Sequence, residues 1–186
     1  MKITKIDAGA VTIQLPADSP IKASDMHLWQ SIAHDGACMS ITELHNDGWT
    51  FFAMAESFAK THYGSKKVGD TFNIELCMQA ADRLDGHFVT GHIDTVWEVK
   101  SVDIYEDGSW RVDVTFDKKF DELLVPKWSI TINGVALTVW EVSEWTCSVY
   151  IIPQTLEKTN IADFVGGMKV NLEFDLLAKY VTKWGR

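Results

Sequence analysis

Two stretches decide the fold: SIAHDGACMSITEL, residues 31–44, and SITINGVALTVWEV, residues 129–142. They belong to a longer ungapped match of residues 31–75 with residues 129–173, at a constant offset of 98 positions and with nine identical pairs in 45. A chance match would rarely keep turn glycines and hydrophobic alternation in step. Self-similarity at a fixed period is evidence for a repeated structural unit, so the sequence predicts two copies of one fold in tandem.

Each copy is predicted to be mostly β-strand. Apolar and polar side chains alternate with a period of two, for example over residues 38–43, which is typical of a strand. The dipeptides Asp35-Gly36 and Asn133-Gly134 occupy the same repeat position and favour a tight hairpin turn. Many short strands with frequent turns indicate a barrel or sandwich in each half. Further strands are predicted at residues 9–15, 49–54, 71–77, 91–104, 110–116, 146–152 and 169–174, and short helical turns at 56–61 and 154–160.

The end of the sequence, DLLAKYVTKWGR, has a different periodicity. Its apolar residues fall at helical spacing and form one stripe, which predicts a C-terminal helix. Such a helix could pack on its own barrel or form an oligomer contact, and the sequence does not decide between the two. The stripe consists of Leu176, Leu177, Tyr180, Val181 and Trp184.

Composition argues against several classes of function. The net charge is −9, with 17 basic against 26 acidic residues, so neither nucleic acid nor an anionic membrane is an expected partner. No apolar run approaches the length of a membrane span, and the start, MKITKIDAGA, does not read as a signal peptide. The three cysteines, Cys38, Cys77 and Cys147, form no CxxC pair, so we expect a reducing cytoplasm and no metal site.

The segment DRLDGHFVTGHIDTV, residues 82–96, joins the two copies. Together with INGVALTV, IIPQTLEKTN and VNLEFDLLAKYV, it resembles the riboflavin synthase family, which is built from two lumazine-binding repeats. The resemblance implies an all-β fold of two tandem six-stranded Greek-key barrels with a short C-terminal α-helix. In this chain the three parts would be residues 1–87, 88–174 and 175–186. It also implies a homotrimer, and lumazine synthase as a further partner.

The activity implied by the resemblance is a transferase reaction between two molecules of the same substrate. Two molecules of 6,7-dimethyl-8-ribityllumazine exchange a four-carbon unit, giving riboflavin and 5-amino-6-ribitylaminouracil, without a metal or organic cofactor. A duplicated protein suits this chemistry, because two sister pockets can hold the donor and acceptor rings together. Such positioning can lower a barrier by about 7–11 kcal/mol at best.

The resemblance also implies a set of site residues. Backbone groups would bind the edge of the heterocycle, and hydroxyl groups with Lys127 would meet the ribityl chain. The first pocket would use Cys38, Met39, Ser40, Ala53, Met54, Glu56 and Ser57. The second would use Gly91, His92, Ile93, Lys127, Ala136, Thr138, Ile152, Gln154 and Thr155. The residues that match catalytic positions of the family are Ser31, Cys38, His92 and Asp175.

Several of these residues have a simpler structural interpretation. Cys38 could be an inert core cysteine, and Cys77 and Cys147 are expected to be core residues. His87 and His92 are five positions apart, which on a strand sends them to opposite faces and argues against zinc. Asp175 could equally cap the last helix. Glu56 and Gln154, at equivalent repeat positions, could also be residues that begin a helix.

Two departures from the family pattern favour an alternative function. The printed sequence starts MKITKIDAG where the family has Met-Phe-Thr-Gly-Ile-Val, so we expect the first strand and its pocket contacts to be shortened or replaced. Ala136 stands where the family usually has serine. The alternative is a non-catalytic paralogue that binds lumazine or flavin without turning it over.

Overall fold

The computed structural model describes residues 1–84 and 86–185, which fold into two six-stranded antiparallel sheets followed by a helix. Asp85 and Arg186, which belong to the predicted joining segment and C-terminal part, lie outside the described residues. The first half contains β1 (Lys2–Asp7), β2 (Ala10–Gln14), β3 (Ser31–His34), β4 (Ala37–His45), β5 (Gly48–Phe52), α1 (Ala55–Lys60) and β6 (Ile74–Leu76). The second contains β7 (Thr95–Ile104), β8 (Trp110–Thr115), β9 (Ser129–Ile132), β10 (Val135–Ser143), β11 (Thr146–Ile151), α2 (Pro153–Lys158) and β12 (Lys169–Phe174), and α3 (Leu176–Trp184) follows. Short 3-10 turns lie at Ala23–Asp25, His62–Ser65, Lys118–Leu123 and Asn160–Asp163.

The two halves have the same strand order. The second is a closed barrel in the order β10-β11-β8-β7-β12-β9, and the first is a sheet in the order β1-β2-β5-β4-β3-β6. The edges of the first sheet meet where Lys2 pairs with Thr71 and the Ile3 amide donates to the Asp70 carbonyl at 2.8 Å. The corresponding pair in the second half is Glu98 with Lys169. The predicted duplication and all-β fold are therefore confirmed.

Each half has its own hydrophobic core, as expected of a barrel whose inward positions alternate with outward ones. Trp49, Phe51 and Phe72 are buried in the first core, and Phe174 and Trp97 in the second. Burying an aromatic or large aliphatic side chain contributes about 1.5–3 kcal/mol relative to leaving it exposed. Because the two clusters are separate, each repeat is stabilised mainly by its own inward-facing residues.

A neutral histidine lies within the first core. His34 is fully buried, and its Nε2 accepts a hydrogen bond of 3.0 Å from the Trp49 indole N–H. Its Nδ1 lies 3.1 Å from the Ile32 carbonyl oxygen, to which it donates as the neutral tautomer. Burial lowers the pKa of His34 to about 3, because the charged imidazolium would lose its hydration.

The predicted hairpin turns are confirmed and lie against each other between the barrels. Gly36 and Gly134 have φ angles of +80° and +78°. The side-chain amide of Asn73 donates to the Asn133 carbonyl at 2.9 Å, and that of Asn171 donates to the Asp35 carbonyl at the same distance. The repeats therefore exchange equivalent hydrogen bonds around an approximate two-fold axis.

One carboxylate breaks this symmetry. Asp35 is fully buried. Its Oδ1 accepts hydrogen bonds from the backbone N–H of Asn73 at 2.7 Å and from the side-chain amide of Asn160 at 2.8 Å. Its Oδ2 lies 3.0 Å from Nε2 of His62 and 2.9 Å from Nζ of Lys66. Burial by itself would raise the pKa of Asp35, but His62 and Lys66 lower it below its usual value. Asn133 takes the place of Asp35 in the second repeat, without the charge.

The structure corrects three details of the sequence analysis. It contains β1, which was not predicted as a separate strand because a bulge between Ile3 and Lys5 interrupts the period of two. This strand has six residues, against ten in its counterpart β7. Strand β7 begins at Thr95 instead of residue 91, so residues 91–94 are not strand. Cys77 is exposed instead of lying in a core, whereas Cys147 is buried as predicted.

All helices in the described part of the chain are short. The longest of them, α3, has nine residues, and none is long and apolar enough to cross a membrane.

Candidate functional site

The first candidate pocket lies on the outer face of the hairpin β3–β4. Ser31 and Ser40 are directly opposite each other across the two strands, and Ala33 and Cys38 form the next pair on the same face. Opposed side chains in an antiparallel pair lie about 4.5–5.5 Å apart at Cβ. The structure therefore brings Ser31, Cys38 and Ser40 onto one face, and their role in a site stays a prediction. Met39 instead points inward and packs against the core.

The β4 edge at Cys38 is available to bind another segment. The residues on either side of a two-residue turn form a hydrogen-bonded pair, and every second pair along the hairpin is of this kind. Ala37 and Met39 therefore bond to β3, whereas the backbone groups of Cys38 and Ser40 point away from it. The Cys38 amide donates to the Gly91 carbonyl at 2.8 Å. A Cβ on Gly91, whose φ is +76°, would lie 2.7 Å from the Cys38 Cβ. Only glycine fits so close an approach in that conformation.

The segment Thr90–Ile93, named here the strap, contacts the first barrel, whereas the sequence analysis had placed it with the second pocket. Gly91 contacts Cys38, and Ile93 packs against the core of the first barrel. The sequence analysis followed chain order, in which the strap precedes the second barrel, and its role in either pocket stays a prediction. His92 lies exposed on the strap, with Nδ1 3.0 Å from the Thr90 hydroxyl.

A buried glutamate that the sequence analysis did not select holds the strap in place. One carboxylate oxygen of Glu173 accepts hydrogen bonds from the Thr90 amide at 2.6 Å and the Thr90 hydroxyl at 2.7 Å. The other accepts from the Gly91 amide at 2.9 Å. Glu173 is 2% exposed, whereas its repeat counterpart Glu75 is exposed. The identity of the two glutamates in the repeat match was the signal that could have found it.

The second candidate pocket lies on the outer face of β10. Ala136 and Thr138 are exposed there and occupy the repeat positions of Cys38 and Ser40. Lys127 is exposed, has a φ of +70°, and donates its backbone N–H to the Val139 carbonyl at 2.7 Å. Among residues 1–84 and 86–185, no segment makes at Ala136 the contact that Gly91 makes at Cys38.

A short helix follows β5 and, at the equivalent position of the second repeat, β11. Met54 and Ile152, the equivalent residues before α1 and α2, are both exposed, and Ala53 is buried in the first core. The remaining predicted residues lie in the first turns of these helices: Glu56, Ser57, Gln154 and Thr155. Glu56 forms an ion pair of 2.6 Å with Lys60, one turn along α1, which lowers the pKa of this exposed carboxyl group. Its role as a helix residue is therefore established, and its contact with a ligand stays a prediction.

Asp175 has the structural role that was its alternative interpretation. Its Oδ1 accepts a hydrogen bond of 2.9 Å from the Leu177 amide, so it caps the first turn of α3. Its catalytic role stays a prediction.

The buried thiol of Cys147 is also structural, because burial raises its pKa to about 12.

The two histidines considered for a metal lie outside any strand. His87 is 3.0 Å from the Thr131 hydroxyl through Nε2, and His92 contacts Thr90. Their assignment to opposite faces of one strand was therefore wrong. In the part of the chain that the structure describes, no three His, Cys, Asp or Glu residues are grouped to hold a metal ion.

Comparison with known proteins agrees with the repeat and the fold. The family model for the lumazine binding domain matches residues 1–77 and again residues 90–175. Riboflavin synthase of Bacillus subtilis (strain 168) is 33% identical over 160 residues, covering 86% of this chain and 74% of that protein. The chain belongs to the riboflavin synthase family.

Other members of the riboflavin synthase family give the same result. Riboflavin synthase of Schizosaccharomyces pombe is 34% identical over 169 residues, covering 89% of this chain and 80% of that protein, and the Escherichia coli (strain K12) enzyme is 34% identical over 145 residues, covering 78% and 68%. The crystal structure of LumP complexed with riboflavin superposes with a TM-score of 0.82 at 22% identity, covering 93% of this chain and 94% of that one. At that identity the superposition supports the fold alone.

Proposed function

We propose that this chain is a riboflavin synthase. It would bind two molecules of 6,7-dimethyl-8-ribityllumazine and transfer a four-carbon unit from one to the other, forming riboflavin and 5-amino-6-ribitylaminouracil. The products contain together all the atoms of the two substrates, so the reaction consumes no oxidant, reductant or water. No metal or organic cofactor takes part in the proposed reaction.

The observation that carries the proposal is the presence of two equivalent outward faces with different chemistry. Each repeat has a strand edge directed away from its hairpin partner, at Ser40 or Thr138, and an exposed apolar residue before a short helix, Met54 or Ile152, that we place on the same face. Such a surface suits a flat ring, whose polar edge pairs with backbone groups while apolar side chains contact its faces. Two copies of the substrate therefore each find a related site.

The difference between the faces supplies the asymmetry that the reaction needs, because one substrate must donate and the other accept. The first face carries Cys38, Ser31 and the strap with His92. Removing a proton from a ring methyl group requires a base, and histidine is suited to that work near neutral pH. A thiol or hydroxyl group could direct a nucleophile to the partner ring. The second face carries Lys127.

We also propose a trimer in which the first barrel of one subunit faces the second barrel of another. Such an arrangement would bring the two rings together, which the two outward faces of a single chain do not do by themselves. The helix α3 supports an oligomer contact, since four large apolar residues on it are exposed while only Ala178 is buried. These exposed residues are Leu177, Tyr180, Val181 and Trp184. A contact with lumazine synthase remains an expectation from the resemblance.

The second candidate function is lumazine or flavin binding without turnover. LumP, which shares this fold, has been crystallised with 6,7-dimethyl-8-(1'-D-ribityl) lumazine, riboflavin and flavin mononucleotide. The absence of a hydroxyl group at Ala136 favours this alternative. The strap favours the enzyme, because a buried glutamate fixes Thr90 and Gly91, the two residues before His92, and Gly91 bonds to Cys38.

One experiment separates the two functions. The purified protein is incubated with 6,7-dimethyl-8-ribityllumazine, and riboflavin formation is followed by absorbance, with a parallel binding titration. A riboflavin synthase produces riboflavin with one equivalent of 5-amino-6-ribitylaminouracil. Binding without product would reject the synthase and leave the binding protein, and failure to bind any ribityl heterocycle would reject both.

A further inference from the structure

A lysine and a tryptophan are paired on the outer face of the second barrel. The Lys127 ammonium nitrogen lies 3.2 Å from the centroid of the Trp140 ring. A cation over an indole face is attracted by the negative potential of the ring. Trp140 is about half exposed and makes an edge-to-face contact with Tyr150, with ring centroids 5.3 Å apart. The pair is therefore packed against the barrel surface and still accessible to solvent.

The pair lies at the second pocket. Ala136, Thr138 and Trp140 all belong to β10 and are all exposed, and Trp140 lies in a β-bulge between Val139 and Glu141 that turns its side chain outward. Lys127 is fixed at the same level, because its amide donates to the carbonyl of Val139, the residue before Trp140. The indole is thus exposed on the same strand as Thr138, at the end of the surface that we propose to bind the substrate.

The first barrel has a different arrangement at the same positions. Trp29 takes the place of Lys127, with the same positive φ and the same backbone bond, here to the Ile41 carbonyl at 2.9 Å. Thr42 takes the place of Trp140. The repeat therefore has one indole at the mouth of each pocket, on different elements, and a cation at these two positions only in the second.

We propose that Trp140 is a positioning residue for Lys127, and that it makes the second pocket selective for ligands with a polyhydroxylated side chain. This inference rests on the proposed function. A lysine side chain is flexible, so an unsupported ammonium group would have to be ordered when the ligand binds. Trp140 orders the ammonium group before the ligand binds. The three N–H donors of Lys127 can then bind the ribityl hydroxyl groups. At the equivalent positions the first repeat has Trp29 and Thr42, neither of which carries an ammonium group.

The test compares two ligands that differ only in the side chain: riboflavin, and lumiflavin, which has a methyl group in place of the ribityl chain. We expect Trp140→Leu to weaken riboflavin binding at the second site by about five- to tenfold, the loss of one partly desolvated cation–π contact. Lumiflavin binding should change by less than about twofold. Trp140→Phe keeps a weaker ring face and should restore part of the affinity for riboflavin.

Two further variants make the result specific. In a Lys127→Met background, Trp140→Leu should cause no additional loss, because the indole acts through the ammonium group. Trp145→Leu is the matched control, since Trp145 has its own cation contact, with Lys118 at 5.5 Å, outside the pockets. It should leave both affinities unchanged. Thermal unfolding of each variant checks that the fold is kept, and Trp140→Phe decides the matter if the leucine variant fails to fold.

The possible results separate the inference from the function on which it rests. Equal weakening of riboflavin and lumiflavin by Trp140→Leu would overturn the inference, because the indole would then act on the ring system and not on the side chain. Additive losses in the double variant, or no loss at all, would overturn it as well. If the unmodified protein bound neither riboflavin nor ribityllumazine, the proposed function itself would fail.

Discussion

The backbones of Gly36 and Gly134 touch between the two barrels. A Cβ placed on Gly36 would lie 2.7 Å from the nitrogen of Gly134, and one placed on Gly134 would lie 2.7 Å from the nitrogen of Gly36. Real side chains do not approach backbone atoms so closely. Glycine is therefore required at both positions for two reasons: the positive φ of each hairpin turn, and the close packing of one repeat on the other.

This contact predicts that Gly134→Ala is much more destabilising than an alanine at another left-handed glycine. Gly167 is the matched control, because its φ is +87° and a Cβ there would meet nothing within 4 Å. Gly167→Ala should cost about 1–2 kcal/mol from backbone strain alone. Gly134→Ala should cost at least about 2 kcal/mol more, as overpacking adds to the strain. Denaturant unfolding measures both, and equal losses would show that the barrels can separate at this point at little cost.

The strap predicts a functional role for Glu173. In Glu173→Gln, one carboxylate oxygen becomes an NH₂ group that faces a backbone N–H of Thr90 or Gly91, so at least one strap hydrogen bond is lost. We expect riboflavin formation to fall by about tenfold or more, and hydrogen exchange at the Gly91 amide to accelerate. Glu75→Gln, at the exposed equivalent position, is the control and should have little effect. A fully active Glu173→Gln variant would mean that the strap is not needed for turnover.

Cys38 and His92 are predicted to act in turnover more than in binding. Cys38→Ala and His92→Ala should each lower kcat by about tenfold or more while changing the affinity for the lumazine by only a few-fold. Cys147→Ala removes a cysteine that is buried in the core of the second barrel, away from this face, and serves as the control. Single-turnover kinetics and binding titrations measure the two effects separately. Wild-type rates in both variants would remove the residues from the mechanism.

The buried His34 predicts a specific pH dependence of stability. Its folded-state pKa of about 3 lies below the unfolded value of about 6.5, so acidification protonates the unfolded chain first. The contribution of the neutral His34 to the free energy of unfolding is complete above about pH 6.5. It decreases as the pH falls toward 3, by at most about 1.4 kcal/mol per pH unit for this one proton. The free energy of unfolding, measured from pH 7 to 4, should fall more steeply in the wild type than in His34→Gln. Parallel curves would contradict the neutral state assigned to His34.

Most of the fold could be predicted from the sequence because it repeats. The turn dipeptides at residues 35–36 and 133–134 kept their positions in both copies, and their φ angles in the structure are those of the predicted hairpins. Alternation located most of the strands. It failed at β1, where a bulge after Ile3 shifts the pattern by one residue, and before Thr95, where the chain continues the family motif without being a strand.

The site was less predictable than the fold, because its organisation depends on contacts distant in sequence. Ser31, Cys38 and Ser40 could be placed together, since a hairpin joins them. The docking of Gly91 on Cys38 spans the whole joining segment, and the carboxylate that holds it, Glu173, lies 82 residues from Gly91 in the chain. No local pattern reports such a contact. The division into residues 1–87, 88–174 and 175–186 also stays a prediction.

The crossed amides of Asn73 and Asn171 have a consequence for the history of the chain. Each reaches the turn of the other repeat, so the same residue at the same position satisfies both halves. An interface of this kind is what two identical subunits related by a dyad would form. The arrangement is thus the one that fusing a homodimer end to end would leave. After such a fusion Asp35 and Asn133 were free to diverge, since a charge gained on one side no longer had to appear on the other.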